Sequence, residues 1–434
     1  MTRLVVLGSG FGGMEALLTL ESRLGKRKDV EIILVSNQNH TLFTPLFPQI
    51  VSSYIEPRHI IQTIRDIRRD KKFRFIRDSV IGIDLNDKLV SLSEGELSYD
   101  YLVIALGGTT NYFNVPGAES YTFTLKTLQD SAELRDHVID ILEHADHEHD
   151  LSLKKEMLTF VIVGGGYTGV ELTTELRDFI YRYVVKTYKG ITLNDVRIVL
   201  IEASGEILEG VNPELAKRAK TKLLKGGMEV RTDSKVTKCI EDGVEINNQY
   251  VFSARIVIWT AGVRANPISD SLTVRKGKFG RILVNDYLQI PEFPGAYSIG
   301  DIAIVEGENP AKSSQPIAPV AIQQGRIASR NIVNSIENRP LEKYLFSPSG
   351  MLISLGMNDA VINIKGFKFV GFIAWLLWNA VHLLKLVGLK KQLQVALDWS
   401  LGSIFPRDSA IIRFPQRCRI CAGKRGVQNK KYQY

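Results

Sequence analysis

Cysteine is scarce: Cys239, Cys418 and Cys421 are the only three in 434 residues. That excludes a disulfide framework and fits a reducing compartment. Cys418 and Cys421 form a Cys-x-x-Cys, but no second pair completes a zinc site, and no metal centre is expected. Long apolar runs are also missing. The nearest, Phe369–Leu389, is broken by Asn379, His382 and Lys385, so a membrane-crossing helix is not expected. With the first strand expected to begin at residue 3, neither a signal peptide nor a transit peptide is expected, and a chain that stays on the cytosolic side is expected. Acid is absent from the last stretch: Arg413–Tyr434 holds seven Lys/Arg and no Asp/Glu, most of the net charge of +8. No nucleic-acid motif accompanies that basic tail, which leaves an anionic surface as its expected partner. The one histidine-rich stretch, EHADHEHD (Glu143–Asp150), lies among acids and reads as a solvated loop.

What is present is apolar and glycine-punctuated. Hydrophobic residues make up 44%, enough for a packed core, and the length fits about three domains. VVLGSGFGGME (Val5–Glu15) and VIVGGGYTGVE (Val161–Glu171) each run from a β-branched strand into a glycine turn that opens a helix. Gly8, Gly10 and Gly13 fit G-x-G-x-x-G, with Phe11 and Gly12 between them. Gly164, Gly166 and Gly169 repeat the pattern 156 residues later, with Tyr167 inside it. The first glycine permits the tight turn, the second lets backbone approach a pyrophosphate, and the third lets helix and strand pack closely. The helix N-terminus then offers N–H groups and a positive dipole end. Two such turns predict a duplicated dinucleotide-binding fold.

The next strand of each unit should end in an acid for a ribose hydroxyl. RIVLIEAS supplies Glu202, 33 residues after Gly169, and LRDFIYRYVVKTYKG reads as an elongated helix filling the gap. Glu202 favours NADH over NADPH, since a carboxylate about 4 Å from a phosphate costs up to about 4 kcal/mol; a surface strand-end glutamate is the plainer alternative. The first unit ends instead in Ser36 and Asn37, weaker ribose partners. YDYLVIALG, with Ala105 and Gly107, and YSIGDIA, with Gly300 and Asp301 placed for a ribityl chain, point to a flavin. FAD is therefore expected in the first unit and a nicotinamide nucleotide in the second.

With those residues in place, the chain resembles the two-dinucleotide flavoprotein reductases, most closely type II NADH dehydrogenases (NADH:quinone oxidoreductases). LFTPLFPQI, LGGTTNYFNVPG, IWTAGVRANP (with Gly262), APVAIQQG and GFIAWLLWNAVHL carry the rest of the resemblance. It implies Thr44 and Pro45 against the isoalloxazine and Val80 near the adenine. It implies Ala318, Pro319, Ala321, Gln323 and Gln324 beside the flavin and a quinone head. Pro319 departs from the family's glutamine and carries neither a side-chain amide nor an N–H, which leaves Gln323 and Gln324 as the polar candidates. Glu171 matches the family's active-site glutamate, although a glutamate in a first helical turn is also favoured by the dipole alone, and Glu15 holds the same place in the first repeat. The reaction implied is hydride transfer from NADH to FAD and two-electron transfer to a membrane quinone, without proton pumping. Sulfide:quinone oxidoreductase is the rival enzyme, but it needs cysteines at the flavin; a redox-sensing NADH-binding flavoprotein is the rival outside enzymes.

The fold class implied is α/β: two Rossmann-like domains for FAD and NADH, plus a C-terminal membrane-associating helical region. The expected boundaries are 1–115 and 269–344 for the FAD domain, 116–268 for the NADH domain and 345–434 for the anchor with its basic tail. Phe369–Leu389 and Leu389–Phe405 read as two interfacial helices, the second with Leu389, Leu393, Ala396, Leu397, Leu401 and Ile404 on one face. Trp375, Trp378 and Trp399 suit a lipid interface. The expected location is the cytoplasmic face of the cell membrane, peripheral rather than spanning. Packing on the FAD domain or a homodimer interface is the alternative use of the apolar stretch.

Overall fold

The computed structural model describes residues 1–306, 316–348 and 350–411; Cys418, Cys421 and the basic tail lie outside them. The chain divides into two compact units. One takes residues 1–42, 61–111 and 263–349, the other 43–60, 112–262 and 350–434.

The first unit is built on a six-stranded sheet ordered Gln289–Ile290, Phe293–Ser298, Tyr101–Ile104, Thr2–Leu7, Val30–Ser36, Arg74–Arg77. Every neighbouring pair is parallel except the antiparallel pair at the Gln289–Ile290 edge. Parallel strands are covered on both faces, which is why TRLVVL and VEIILVS carry the unbroken apolar runs Leu4–Leu7 and Ile32–Val35 rather than alternating. Leu4, Leu7, Ile33, Val35, Leu102 and Ile104 have no exposed surface. Helix Phe11–Leu24 buries Leu17, Leu20 and Leu24 at helical spacing. It packs against helix Ala318–Ile336 backbone to backbone: a Cβ on Gly325 would lie 2.4 Å from the Gly12 carbonyl oxygen. The Ser329 hydroxyl donates to the Ala16 carbonyl at 3.0 Å across the same contact.

The second unit repeats the plan with a four-stranded parallel sheet, Glu229–Arg231, Arg197–Ile201, Thr159–Val163, Ile256–Trp259. In both sheets the first strand of the repeat is central and the order reverses beside it, creating a switch point at the strands' carboxyl ends. The elongated helix is present: Tyr167–Phe179 continues through a π turn at Ile180–Val184 into Val185–Thr187. Cys239 sits on strand Val236–Ile240 and is buried.

Two expectations change. The His-rich stretch is not a loop from its start, because Glu143–His147 is the last turn of helix Leu128–His147. The C-terminal region is not purely helical. It begins with an antiparallel sheet, Met351–Ser354, Ala360–Ile364 and Phe367–Val370, before helices Phe372–Lys385 and Leu389–Ile404. It belongs to the second unit, joined by contacts such as the Met357 amide donating to Asp178 Oδ2 at 2.6 Å.

Trp378 and Trp399 are also not at an exposed interface; both are buried. A buried indole N–H needs an acceptor, and Trp399 Nε1 donates to Gln49 Oε1 at 2.8 Å. Only Trp375 keeps a partly open surface. The expected apolar face of the last helix is exposed at Leu389, Leu393, Leu397, Leu401 and Ile404. Among the described residues no helix is long and apolar enough to cross a membrane.

Candidate functional site

Each glycine turn leaves the end of a central strand and enters a helix. Gly8 takes φ +102° and Gly164 φ +109°, values that only glycine adopts readily. A Cβ on Gly8 would lie 2.3 Å from the Ala105 carbonyl oxygen, and one on Gly164 would lie 2.8 Å from the Ala261 nitrogen. Both turns thus press against the neighbouring strand's end at the switch point. A Cβ on Gly13 would meet the Gly8 carbonyl at 2.0 Å, and one on Gly169 the Gly164 carbonyl at 1.9 Å. The second glycines behave oppositely. Gly10 and Gly166 are exposed N-caps with open space where a Cβ would stand. Neither helix has a side-chain cap. These are cradles shaped for a phosphate against backbone N–H groups, and a dinucleotide fits both.

The strand ends differ. Glu202 Oε2 accepts the Gly165 amide at 2.6 Å, and its Oε1 accepts the Ser204 amide at 2.8 Å. The carboxylate is thereby fixed at the lip of its glycine turn. In the first unit the hydroxyls of Ser9 and Ser36 share a hydrogen bond of 2.9 Å. Ser36 is buried, while Asn37 beside it is exposed.

Around the first turn, Ala105 is buried and Gly107 takes φ +70° with open space at its Cβ position. Gly300 and Asp301 lie in the short turn Gly300–Ile302. Gln324, fully buried, accepts the Gly300 amide on Oε1 at 2.7 Å. Its Nε2 is buried with no hydrogen-bond partner among the described residues, so it has a donor available for a bound group. Gln323 is committed elsewhere, as both its amide atoms clamp the Ser347 backbone, at 2.7 and 3.1 Å. Ala318 and Pro319 open helix Ala318–Ile336. Proline is at home in a first turn because its missing N–H has no helical partner to lose. Ala321 lies against Gly12, whose Cβ would sit 3.1 Å from the Ala321 oxygen. Val80 starts strand Val80–Asp84.

Sequence reasoning passed over Arg281. This buried arginine donates from Nε to the Asp301 carbonyl at 3.1 Å and braces that turn. Nothing in RILVND marks it out.

In the second unit, Gly262 takes φ +70°, matching Gly107. Thr44 and Pro45 form the short turn Thr44–Leu46, with Thr44 exposed. Tyr167, part-buried in the first helical turn, has its phenol raised by burial and by the charge of Glu171. Glu171 Oε1 accepts the Ser354 amide at 2.9 Å. Its residue surface is only part-buried, yet protein crowds the carboxyl group. Burial pushes that carboxyl up to about 8; the Ser354 hydrogen bond opposes the rise, the charge of Glu175 adds to it and the Trp378 side chain opposes it. The group is therefore mostly protonated at neutral pH and offers an O–H.

One turn further along the same helix, Glu175 is buried with its Oε2 2.8 Å from the Ser52 hydroxyl and 3.2 Å from Arg407 Nη1. Arg407 also lies 4.0 Å over the Tyr54 ring. The spacing Glu171–Glu175 was visible in GVELTTEL; the arrival of Arg407 from far along the chain was not. His382 stacks on Trp378 with ring centroids 3.9 Å apart and gives its Nδ1 contact to the Trp378 carbonyl at 2.7 Å. Burial first, partly opposed by that contact, leaves its pKa down at about 4. Cys239, the one cysteine among the described residues, has its thiol pushed up to about 12 by burial. It is a packing residue, far from the thiolate that disulfide exchange requires.

Two phosphate cradles on two parallel sheets define a protein of the two-dinucleotide class. Residues 2–325 match the pyridine nucleotide-disulphide oxidoreductase family, and the chain belongs to that family. Residues 349–408 match the NDH2 C-terminal domain. The chain is 31% identical to a probable NADH dehydrogenase of Dictyostelium discoideum, over 94% of this chain and 90% of that one. It is 29% identical to the type II NADH:quinone oxidoreductase Ndh of Mycobacterium tuberculosis, over 93% and 89%. The solved structure of NDH2 from Plasmodium falciparum in complex with NADH shares the fold, with a TM-score of 0.85 at 22% identity, covering 94% of this chain and 99% of that one.

Proposed function

We propose that the chain oxidises NADH and reduces a membrane quinone through a bound FAD, so that NADH, one proton and quinone become NAD+ and quinol. The observation that carries this reading is the contrast between the two cradles: one lip ends in a serine pair, the other in the carboxylate of Glu202. The first cradle holds FAD, with Gly8, Gly10 and Gly13 on its phosphates and Asp301 toward its ribityl chain. The second holds NADH, with Gly164, Gly166 and Gly169 on the pyrophosphate and Glu202 on the ribose hydroxyls. Bound FAD supplies two-electron acceptance from a hydride and delivery to a quinone. The chain's own residues bind, orient and supply the proton. Glu171, protonated at neutral pH, is the proton donor in this reading. Gln324 Nε2 is the free amide donor in the first unit, and Gln323 serves as a clamp on Ser347. Relatives carrying the words NADH:quinone oxidoreductase in their names support the substrate pair.

The exposed apolar face of helix Leu389–Ile404 supports docking on the cytoplasmic leaflet without spanning it. A fully buried leucine is worth roughly 1.5–3 kcal/mol, so five or six exposed apolar side chains suffice. The same face on a second copy of the chain is the competing use. Leu393→Asn with Leu397→Asn should abolish co-sedimentation with vesicles; release of a dimer with unchanged vesicle binding would favour the competing use. Deleting the whole C-terminal region is a poor test, since it removes the buried Trp378, Trp399 and Arg407.

The decisive experiment is anaerobic titration of the purified yellow protein with NADH. Flavin colour should bleach at once and return on adding a water-soluble quinone. A lasting long-wavelength band without turnover would mark a redox sensor, and bleaching by sulfide but not NADH would mark a sulfide-oxidising enzyme.

A further inference from the structure

Helix Pro213–Lys225 carries Glu214, Lys217, Arg218, Thr221, Lys222 and Lys225 along one stripe, the spacing of a single helical face. The stripe lines an open cleft of about 480 Å3 whose far wall is Asp359. Four basic groups face two acids there. Asp359 engages Lys222 Nζ at 3.0 Å and Arg218 Nη2 at 3.4 Å. Glu214, the other acid of the lining, pairs with Lys368 Nζ at 2.5 Å. Lys217 and Lys225 have no carboxylate partner among the described residues. The cleft thus keeps a surplus of positive charge after its internal pairing is complete.

Its neighbourhood is apolar. Lys368 belongs to strand Phe367–Val370, every residue of which is exposed, Phe367 and Phe369 included. Gly371, the N-cap of helix Phe372–Lys385, would place a Cβ 3.8 Å from Arg218 Nη2. Immediately beyond it Phe372, Ile373 and Leu376 are exposed as well. A cationic cleft therefore borders a patch of exposed apolar side chains within the same unit. That pairing of rim and patch is the signature of a surface that meets a bilayer, apolar groups entering it and cations meeting the headgroups.

From this juxtaposition we infer that the Lys217–Lys225 cleft is a binding site for the phosphate headgroups of anionic phospholipid. It makes the nucleotide-binding unit, together with the terminal helices, part of the membrane contact. Charge complementarity selects the occupant: an apolar partner alone gives no use to the unpaired lysines, and a neutral bilayer gives none either. The inference rests on the membrane reading above and deepens it.

The test compares three full-length proteins: wild type, Lys217→Gln with Lys225→Gln, and a charge-matched control, Lys26→Gln with Lys28→Gln, on the first unit. Each is sedimented with vesicles of phosphatidylcholine alone and with vesicles of equal parts phosphatidylcholine and phosphatidylglycerol. Each lysine near an anionic surface contributes about fivefold in partitioning, so the cleft variant should bind the anionic vesicles roughly 25-fold more weakly. It should bind neutral vesicles as wild type does and oxidise NADH with a water-soluble quinone at the wild-type rate. The control pair should lose little. Equal losses in the control and cleft variants overturn the site, because net charge alone then explains the attraction. Wild-type affinity in the cleft variant also overturns it and leaves the cleft to solvent or an acidic protein. If wild type binds neither vesicle, the membrane reading itself fails, a result distinct from either.

Discussion

The two glycine turns of this chain are near copies in backbone and have parted in side chains. Their first glycines differ by 7° in φ, at +102° and +109°. Their helix N-caps, Gly10 and Gly166, take φ and ψ of −73°, −175° and −74°, −171°. Gly107 and Gly262 on the neighbouring strand ends share φ +70°. Two residues past each third glycine stands a glutamate. Glu15 forms an ion pair with Arg326 at 2.8 Å, with Arg326 exposed and Glu15 part-exposed. Glu171 is pushed up to about 8 by burial. The strand-end pairs diverge likewise, Ser9 with Ser36 against Gly165 with Glu202. The backbone geometry that any dinucleotide requires is common to both turns, and the side chains at their lips are not.

That comparison can be broken most forcefully at the glycines. Alanine at Gly8 or Gly164 meets both a strained φ and a backbone overlap, a penalty of about 3 kcal/mol or more. Gly8→Ala should purify colourless. Gly164→Ala should stay yellow and need about 100-fold more NADH for half-maximal bleaching. Identical losses of colour in both variants would show that the two turns do not hold separate nucleotides.

The paired glutamates come next. Glu171→Gln should lower kcat for quinone reduction by about 100-fold, the usual scale for a lost acid–base group. Wild-type kcat should fall above about pH 8 as the carboxyl loses its proton, and the variant should lack that limb. Glu15→Gln removes only an open surface pair, worth at most about 1 kcal/mol, and kcat should stay within about a factor of two. A retained alkaline limb in Glu171→Gln assigns the proton to another group.

Glu202 and Ser36 give a smaller contrast. Glu202→Ala removes the charge that repels a 2′-phosphate, and the ratio of NADPH to NADH activity should rise roughly tenfold. Ser36→Ala loses two hydrogen bonds, one shared with Ser9 and one accepted from the Gln38 amide, about 1–2 kcal/mol of stability, with FAD content unchanged on absorbance. Thermal stability gives a separate readout of the Glu171 carboxyl. A carboxyl raised from 4.5 to about 8 in the folded state binds its proton more tightly than the unfolded chain does. Its stabilisation is complete below pH 4.5 and fades as pH climbs to about 8. The melting temperature of Glu171→Gln relative to wild type should therefore rise across that window and level off above it.

Much of this was legible from residue order. The glycine spacings, the β-branched strands and Glu202 announce two parallel-sheet cradles because backbone conformation and phosphate approach are local demands. The long helix after Gly169 could be read for the same reason. Other features were opaque. Trp378 and Trp399 look like lipid-facing aromatics in sequence and are buried, Trp399 by a hydrogen bond to Gln49 from 350 residues away. Gln323 and Gln324 are neighbours with opposite fates, one clamped to Ser347 and one buried behind Gly300. The antiparallel sheet of Met351–Val370 went unseen because its strands are short and its turns carry ordinary glycines.

Sequence alone determined the duplicated cradle, the exposed leucine stripe at Leu389–Ile404 and the scarcity of thiols that rules out a disulfide framework. Each follows from local stereochemistry or from composition. The tertiary structure decided that the Glu171 carboxyl is raised by burial, which tryptophans stay dry, and that the lysines of Pro213–Lys225 border an apolar surface. Burial and proximity are set by segments far apart in the chain, and desolvation, which raises the Glu171 carboxyl, has no counterpart in the order of residues.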